Sequence, residues 1–323
     1  DLDYGIRGEG EVSFPLYLKQ LSEGGDIYSI SGCAFRKDGN YHTSSPSLVQ
    51  DLDGQALPAY DLVDLKPYLG RKITPAIFTK RGCAFFCSYC PYSKLEGKHY
   101  RLKSPQRIIG EARCILQSTN TGKVMFCDNN FNAPRQHAEA ICKALIAEQA
   151  NFQWGTGDLR PVGITDDFCR MMEDSGCYYV NLSIESASQE MLKSMKRGYT
   201  TQQVRKSLDV LSRSNIPFTA SLMLGAPGET PETVAETLSL MDDYQIPNGV
   251  WVTIGVYLWT DYQDIVVEAR RIGTLKDDKE LFRGAVYLSP GLPKSYLREL
   301  PAMLRTRQNY SVQFNKPREL WEL

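Results

Sequence analysis

Three cysteines fall within eight residues. The segment Arg81-Gly82-Cys83-Ala84-Phe85-Phe86-Cys87-Ser88-Tyr89-Cys90-Pro91-Tyr92 spaces them as CxxxCxxC, with an aromatic residue just before the last. Three thiolates so close can cap three corners of one iron–sulfur cubane and leave the fourth iron without a protein ligand. An open iron could chelate the amino and carboxylate groups of a methionine moiety, hold its sulfonium beside the cluster and deliver one electron into the S–C bond. Two other readings stand beside this one. Structural zinc would need a fourth ligand such as His99 and more usually paired CxxC knuckles. Three unligated thiols would be the third, although this spacing at the mouth of a βα unit is seldom accidental.

Other segments could serve the same chemistry. Asp128-Asn129-Asn130 follows a strand-like run and could equally be a turn that caps a helix. Glu185, in Ser183-Ile184-Glu185-Ser186, places a carboxylate where it could accept from a vicinal diol or simply suit the dipole of the next helix. In Leu224-Gly225-Ala226-Pro227-Gly228-Glu229-Thr230 the glycine permits close backbone approach and the threonine starts a helix. Trp154, Asp158 and Arg160 flank another strand end and could face a pocket, although a strand Trp is more often core. Lys196 and Arg197 read as solvated surface charges, with a role opposite a substrate or cofactor carboxylate as the alternative. Cys33, Cys114, Cys142, Cys169 and Cys177 lie singly in apolar or helical contexts and read as small buried hydrophobes.

The elements that must position these residues are βα units. From about Ile73, apolar runs at Ile73–Thr79, Lys123–Cys127, Phe152–Thr156, Tyr178–Ile184, Phe218–Leu224 and Val250–Leu258 alternate with amphipathic stretches. The predicted helices cover Pro105–Gln117, Pro134–Glu148, Thr165–Asp174, Thr201–Ser214, Pro231–Tyr244 and Tyr262–Arg271. Six such units are too few for the closed eight-fold barrel, so the fold class is α/β, a partial barrel or an open doubly wound sheet, with function at the strand C-terminal ends. Residues 28–71 form a linker with a small β element, hairpin-like at Phe35–Tyr41, and 276–323 form a C-terminal extension with a helix near Ser295–Arg307. The opening Asp1–Glu11 reads as a strand end, a Gly-rich turn and a helix start, as if cut from something longer.

Taken together, the motifs resemble the radical S-adenosylmethionine superfamily, whose CxxxCxΦC loop follows the first strand of a partial (β/α)6 TIM-like barrel. Tyr89 stands at Φ. The resemblance implies a [4Fe–4S] cluster on Cys83, Cys87 and Cys90 that reductively cleaves S-adenosylmethionine, and a 5′-deoxyadenosyl radical that abstracts substrate hydrogen. It also implies cofactor-binding roles for Tyr89 near the adenine, Asp128, Asn129 and Asn130 at the methionine amino group, Glu185 at the ribose, and Gly225, Ala226 and Pro227 along the adenine. A one-electron reductant such as a flavodoxin or ferredoxin would be the partner.

Within the superfamily, the opening Tyr4–Glu11, the linker Asp51–Leu62 and Ser289–Pro293 resemble cobalamin-dependent members. On that resemblance residues 1–27 are the end of a cobalamin-binding domain, 72–275 the radical core, and methyl transfer to an unactivated carbon the favoured reaction, with cobalamin bound by a domain outside this chain. No Asp-x-His-x-x-Gly motif surrounds His42, His99 or His137, and Leu258-Trp259-Thr260-Asp261-Tyr262 replaces the usual exit of the sixth strand. The alternatives are a radical cyclase or isomerase, a methylthiotransferase, which should bring a second cysteine trio, and a zinc-stabilised binding module without catalysis.

Composition narrows the partners. With 37 Lys+Arg against 38 Asp+Glu and a net charge of -1, the 323 residues carry no footprint for nucleic acid or an anionic membrane surface. No apolar stretch approaches the ~20 residues needed to span a bilayer. Nine cysteines without a disulfide-like framework fit a reducing compartment, so a cytoplasmic location and a small-molecule or peptide substrate are expected.

Overall fold

The computed structural model describes residues 3–65, 67, 74–119 and 121–315. The chain opens with β1 (Tyr4–Ile6), α1 (Gly10–Glu23) and a hairpin of β2 (Cys33–Lys37) and β3 (Asn40–Thr43). Asp38 and Gly39, both at positive φ, make the two-residue turn that matches strand twist, as the Asp-Gly pair predicts. β1 pairs antiparallel with β2, so the opening segment and the linker share one three-stranded sheet.

The core begins with β4 (Ala76–Ile77), β5 (Lys80–Arg81), the helical turn α2 (Tyr92–Leu95) and β6 (Arg101–Leu102). It continues through α3 (Pro105–Thr119), β7 (Lys123–Phe126), α4 (Arg135–Ala147), β8 (Gln153–Leu159), α5 (Asp166–Asp174) and β9 (Cys177–Glu185). α6 (Gln189–Ser194), α7 (Thr201–Arg213), β10 (Phe218–Leu224), α8 (Pro231–Asp242) and β11 (Val250–Ile254) follow. The chain then runs through β12 (Val256–Tyr257), α9 (Ile265–Arg271), β13 (Val286–Tyr287), α10 (Lys294–Arg305) and β14 (Tyr310–Phe314).

One sheet of order β4-β7-β8-β9-β10-β11-β14 carries the fold, and every pairing in it is parallel. This is the expected partial barrel with a helical C-terminal region, plus a strand the sequence reading lacked. After α10 the tail adds β14 beside β11. The run Val250–Leu258 is also shorter than expected in the barrel. Gly255, at φ 88°, ends β11, and Val256–Tyr257 leaves to pair antiparallel with β13. Of the first predicted strand, Ala76–Ile77 pairs with β7, while Ile73 lies outside the described residues.

The two sheet faces differ. Val180, Leu182 and Ile184 of β9 are fully buried against helix residues such as Phe168 and Met172, and each such side chain contributes roughly 2 kcal/mol. The alternate residues Tyr179, Asn181 and Ser183 line a polar inner face. Thr219 Oγ1 donates to Asn181 Oδ1 at 2.7 Å, and Asn181 Nδ2 donates to Gly157 O at 3.0 Å and Ser221 Oγ at 3.1 Å. Helix starts follow the sequence signals. Thr165 accepts from the Phe168 N–H, and Thr200 and Thr230 form capping boxes with Gln203 and Thr233. Of the five single cysteines, Cys33, Cys142, Cys169 and Cys177 are buried and Cys114 is half-buried. Among the described residues no helix is long and apolar enough to cross a membrane.

Candidate active site

The cysteine loop is closed at its neck by β5 and β6, which pair antiparallel. Gly82 follows at φ 88°, where a Cβ would run into the His99 carbonyl oxygen, so glycine is required there. Its N–H donates to Glu96 Oε2 at 3.1 Å, and the Cys83 N–H donates to Gly97 O at 3.0 Å. Further round, the Ser88 N–H donates to Met195 O, the Ile265 N–H to Ser88 O, and Gln263 Nε2 to Tyr89 O at 2.6 Å. The end of α6 and the start of α9 thus hold the middle of the loop.

Arg101 braces the neck. It forks onto Glu9 at 2.6 Å to each oxygen and also donates to the Val49 and Glu96 carbonyls. Burial disfavours the Glu9 charge, but Arg101, the Val49 N–H and Arg81 outweigh it and hold the carboxyl below its usual range. Nothing in the sequence links residues 92 positions apart, and this brace was not foreseen.

Cys83 is buried, Cys87 and Cys90 are half-buried, and charge on one thiol raises its neighbours. Burial first, then the other thiols, pushes Cys90 up to about 12 and raises Cys83. Such thiols stay neutral until a cation displaces their protons. Among the described residues no three His, Cys, Asp or Glu side chains converge as ligands of a single metal ion, and His99 is exposed. The corners of a cubane ligate separate irons. Buried Asn130 places Nδ2 3.6 Å from Cys83 Sγ and leaves Oδ1 without a partner among the described residues. The donor set and that free acceptor fit a cluster with a polar ligand beside it.

Of the other expected residues, Tyr89, Glu185 and Arg197 meet. Arg197 Nη1 donates to Tyr89 Oη at 2.6 Å and to Cys87 Sγ at 3.4 Å, and Nη2 lies 3.9 Å from Glu185 Oε1. Glu185 sits at φ 63°, a left-handed conformation that turns the end of β9 away from the strand path. Burial raises its carboxyl, with Arg197 opposing. Arg197 is only 6% exposed, which corrects the reading of it as a surface charge, while Lys196 is exposed and pairs with Asp264 at 2.7 Å.

Asp128 is turned inward. Its oxygens accept from the Thr79 N–H at 2.7 Å, Thr79 Oγ1 and Lys80 Nζ at 2.9 Å, which ties the start of β5 to the segment after β7. Asn129 donates to Glu96 at 2.9 Å and so supports the cysteine loop. Gly225, at φ 97°, donates its N–H to Glu229 at 3.2 Å, and a Cβ there would meet Leu288 at 2.7 Å. Ala226 is fully buried in a methionine-rich cluster with Met191, Met195 and Met223, against which Tyr89 packs, and the Pro227 carbonyl accepts from Ser194 Oγ. Trp154 is core, as its strand position suggests, and stacks with Phe126. Arg160 is buried with its guanidinium 3.6 Å from the centre of the Phe85 ring. Asp158 lies nearby, its carboxyl pushed up to about 7 by burial against the pull of Arg197.

A cysteine-lined loop at the C-terminal mouth of a parallel partial barrel defines a class, and the family model described as the radical SAM superfamily matches residues 77–241. The chain belongs to that superfamily; it is a radical SAM enzyme, whose chemistry uses a [4Fe–4S] cluster and S-adenosylmethionine. It is 28% identical over 239 residues to an uncharacterised methyltransferase of Pyrococcus horikoshii, covering 73% of this chain and 52% of that protein. It is 24% identical over 330 residues to the anaerobic magnesium-protoporphyrin IX monomethyl ester cyclase of Synechocystis, covering 100% of this chain and 64% of the cyclase. The chain therefore spans between half and two thirds of these relatives. Among solved structures, the fold is similar to the radical S-adenosylmethionine methyltransferase TsrM of Kitasatospora setae with cobalamin and [4Fe–4S] cluster bound. That match has a TM-score of 0.78 at 18% identity and covers 96% of this chain and 70% of TsrM. It is also similar to the cobalamin-dependent enzyme OxsB, at a TM-score of 0.64 and 16% identity, over 93% of this chain and 44% of OxsB.

Proposed function

We propose that this radical SAM enzyme abstracts hydrogen from a small-molecule or peptide substrate and methylates the resulting carbon with the help of cobalamin. The observation that carries this reading is the breadth of the likeness. The family match spans residues 77–241, yet a cobalamin-bound methyltransferase of similar fold covers 96% of the chain. The apolar residues Val12, Phe14, Leu18 and Leu21 of α1 are each about half exposed, which fits residues 1–27 as the end of a cobalamin-binding domain. The domain limits 28–71, 72–275 and 276–323 belong to the same proposal.

When bound, the cluster supplies one electron that breaks S-adenosylmethionine into methionine and the 5′-deoxyadenosyl radical. The chain's own residues set the stage for it. Cys83, Cys87 and Cys90 would hold the cluster, and Asn130, whose Oδ1 has no partner among the described residues, would accept from the methionine amino group. Glu185 accepts from the ribose hydroxyls while Tyr89 and the Gly225–Pro227 turn bound the adenine. Phe85, stacked under Arg160, and the methionine-rich cluster keep water from the reacting atoms. The polar inner face, with the 61% exposed Trp251 between Ser221 and Ser311, receives the substrate. A flavodoxin or ferredoxin supplies the electron.

The test is to purify the native gene product anaerobically and quantify cobalamin and methylated product with S-adenosylmethionine labelled at its methyl group. Stoichiometric cobalamin and label transfer are expected. A product that loads its cluster and makes 5′-deoxyadenosine without cobalamin would overturn methyl transfer and favour a radical cyclase, a reading supported by the likeness of the whole of this chain to 64% of the Synechocystis cyclase.

A further inference from the structure

The turn Lys196-Arg197-Gly198 is wound unusually. Lys196 has φ 54° and Gly198 φ 68°, so the residue between two left-handed positions swings inward while its neighbours face solvent. A lysine in that conformation is strained, and such strain persists only where surrounding contacts enforce it. Lys196 is held by Asp264, and the inward contacts are made by the Arg197 side chain. Nε donates to Tyr199 Oη at 2.7 Å, Nη2 to Ser183 O at 2.9 Å, and Nη1 to both Tyr89 Oη and Cys87 Sγ. Tyr199 Oη in turn donates to the Ser183 and Ile184 carbonyls, at the end of the strand that carries Glu185. One buried guanidinium is therefore fixed to the end of β9, to the Φ aromatic and to a cluster ligand at once.

We propose that Arg197 is a positioning residue that sets the reduction potential of the cluster, by an N–H···S hydrogen bond and a fixed positive charge at Cys87. The inference rests on the reading of Cys83, Cys87 and Cys90 as cluster ligands. Adding an electron makes the cluster more negative, so a cation and a donor at a ligating sulfur stabilise the reduced form and raise the potential. The planar fork suits the task better than an ammonium, because it can hold Tyr89, Ser183 and Cys87 together in one plane of donors. Arg160 reinforces the geometry by donating to the Arg197 carbonyl oxygen.

The experiment is redox titration of the loaded enzyme without S-adenosylmethionine, followed by electron paramagnetic resonance, on wild type, Arg197→Gln, Arg197→Lys and Tyr199→Phe. Arg197→Gln should shift the one-electron equilibrium toward the oxidised cluster at least tenfold, which is about 59 mV. Arg197→Lys should recover part of that shift, and Tyr199→Phe should move it least. Because Arg197→Gln could fail to fold, wild type with 15N-labelled arginine provides a second reading. A nitrogen hyperfine coupling to the reduced cluster is expected. An unchanged potential in a folded, fully loaded variant, or no such coupling, would leave Arg197 a structural clamp and overturn the proposal. Failure of wild type to load iron would instead strike the cluster assignment itself.

Discussion

At the scale of single residues, the placement of the three cysteines on one loop at the strand ends was legible because their spacing is local. Arg197 was not, since its burial follows from a left-handed turn and from partners on β9 and the cysteine loop that adjacency in sequence does not announce. The structural bonds of Asp128 were not legible either, since they reach Thr79 and Lys80, almost fifty residues earlier in the chain. Glu185→Gln should weaken S-adenosylmethionine binding about tenfold, roughly the 1.4 kcal/mol of one charge-assisted hydrogen bond, with little change in melting temperature. Equilibrium binding to the loaded enzyme measures it. Glu229 gives a pH signature. Burial pushes its carboxyl up to about 7, against the pull of the Thr233 hydroxyl and the Gly225 N–H. Below pH 4.5 folded and unfolded chains both hold the proton; between 4.5 and about 7 only the folded chain does, so this group's contribution to stability falls as pH rises and then levels off. The stability of Glu229→Gln relative to wild type should therefore increase by up to about 3 kcal/mol between pH 4.5 and 8, as urea unfolding at the two pH values would reveal.

At the scale of elements, strands β7 to β10 and helices α3, α4, α5, α7 and α8 were legible to within a few residues, because alternation, capping Thr residues and Pro at helix starts are local signals; the short α6 was not. The sixth strand was read too long, since Val256 and Tyr257 carry strand character but Gly255 redirects them to β13. The neck of the cysteine loop is where an element can be tested. Arg101→Ala leaves Glu9 charged and half-buried and removes the donors to two carbonyls, and should cost about 3 kcal/mol. Thermal unfolding reads that loss directly. Gly82→Ala should spare most of the barrel yet reduce iron retained per chain, because the added methyl displaces the His99 carbonyl beside Cys83.

At the scale of the whole molecule, the tail is part of the sheet. The helix within it was visible from its amphipathic pattern; β14 was not, because five residues of mixed polarity owe their strand to the open edge of β11. Ending the chain before Lys294 should expose that edge, with Trp251 on it, and yield a protein that aggregates on concentration. Light scattering beside wild type would register it.

Cys83, Cys87 and Cys90 are proposed to hold a cluster that reduces S-adenosylmethionine. Anaerobic reconstitution, metal analysis and chromatography after addition of dithionite and S-adenosylmethionine test it most directly. The account predicts about four iron atoms per chain and 5′-deoxyadenosine, both lost when the three cysteines are replaced by alanine. Zinc in place of iron, with no nucleoside released, would contradict it.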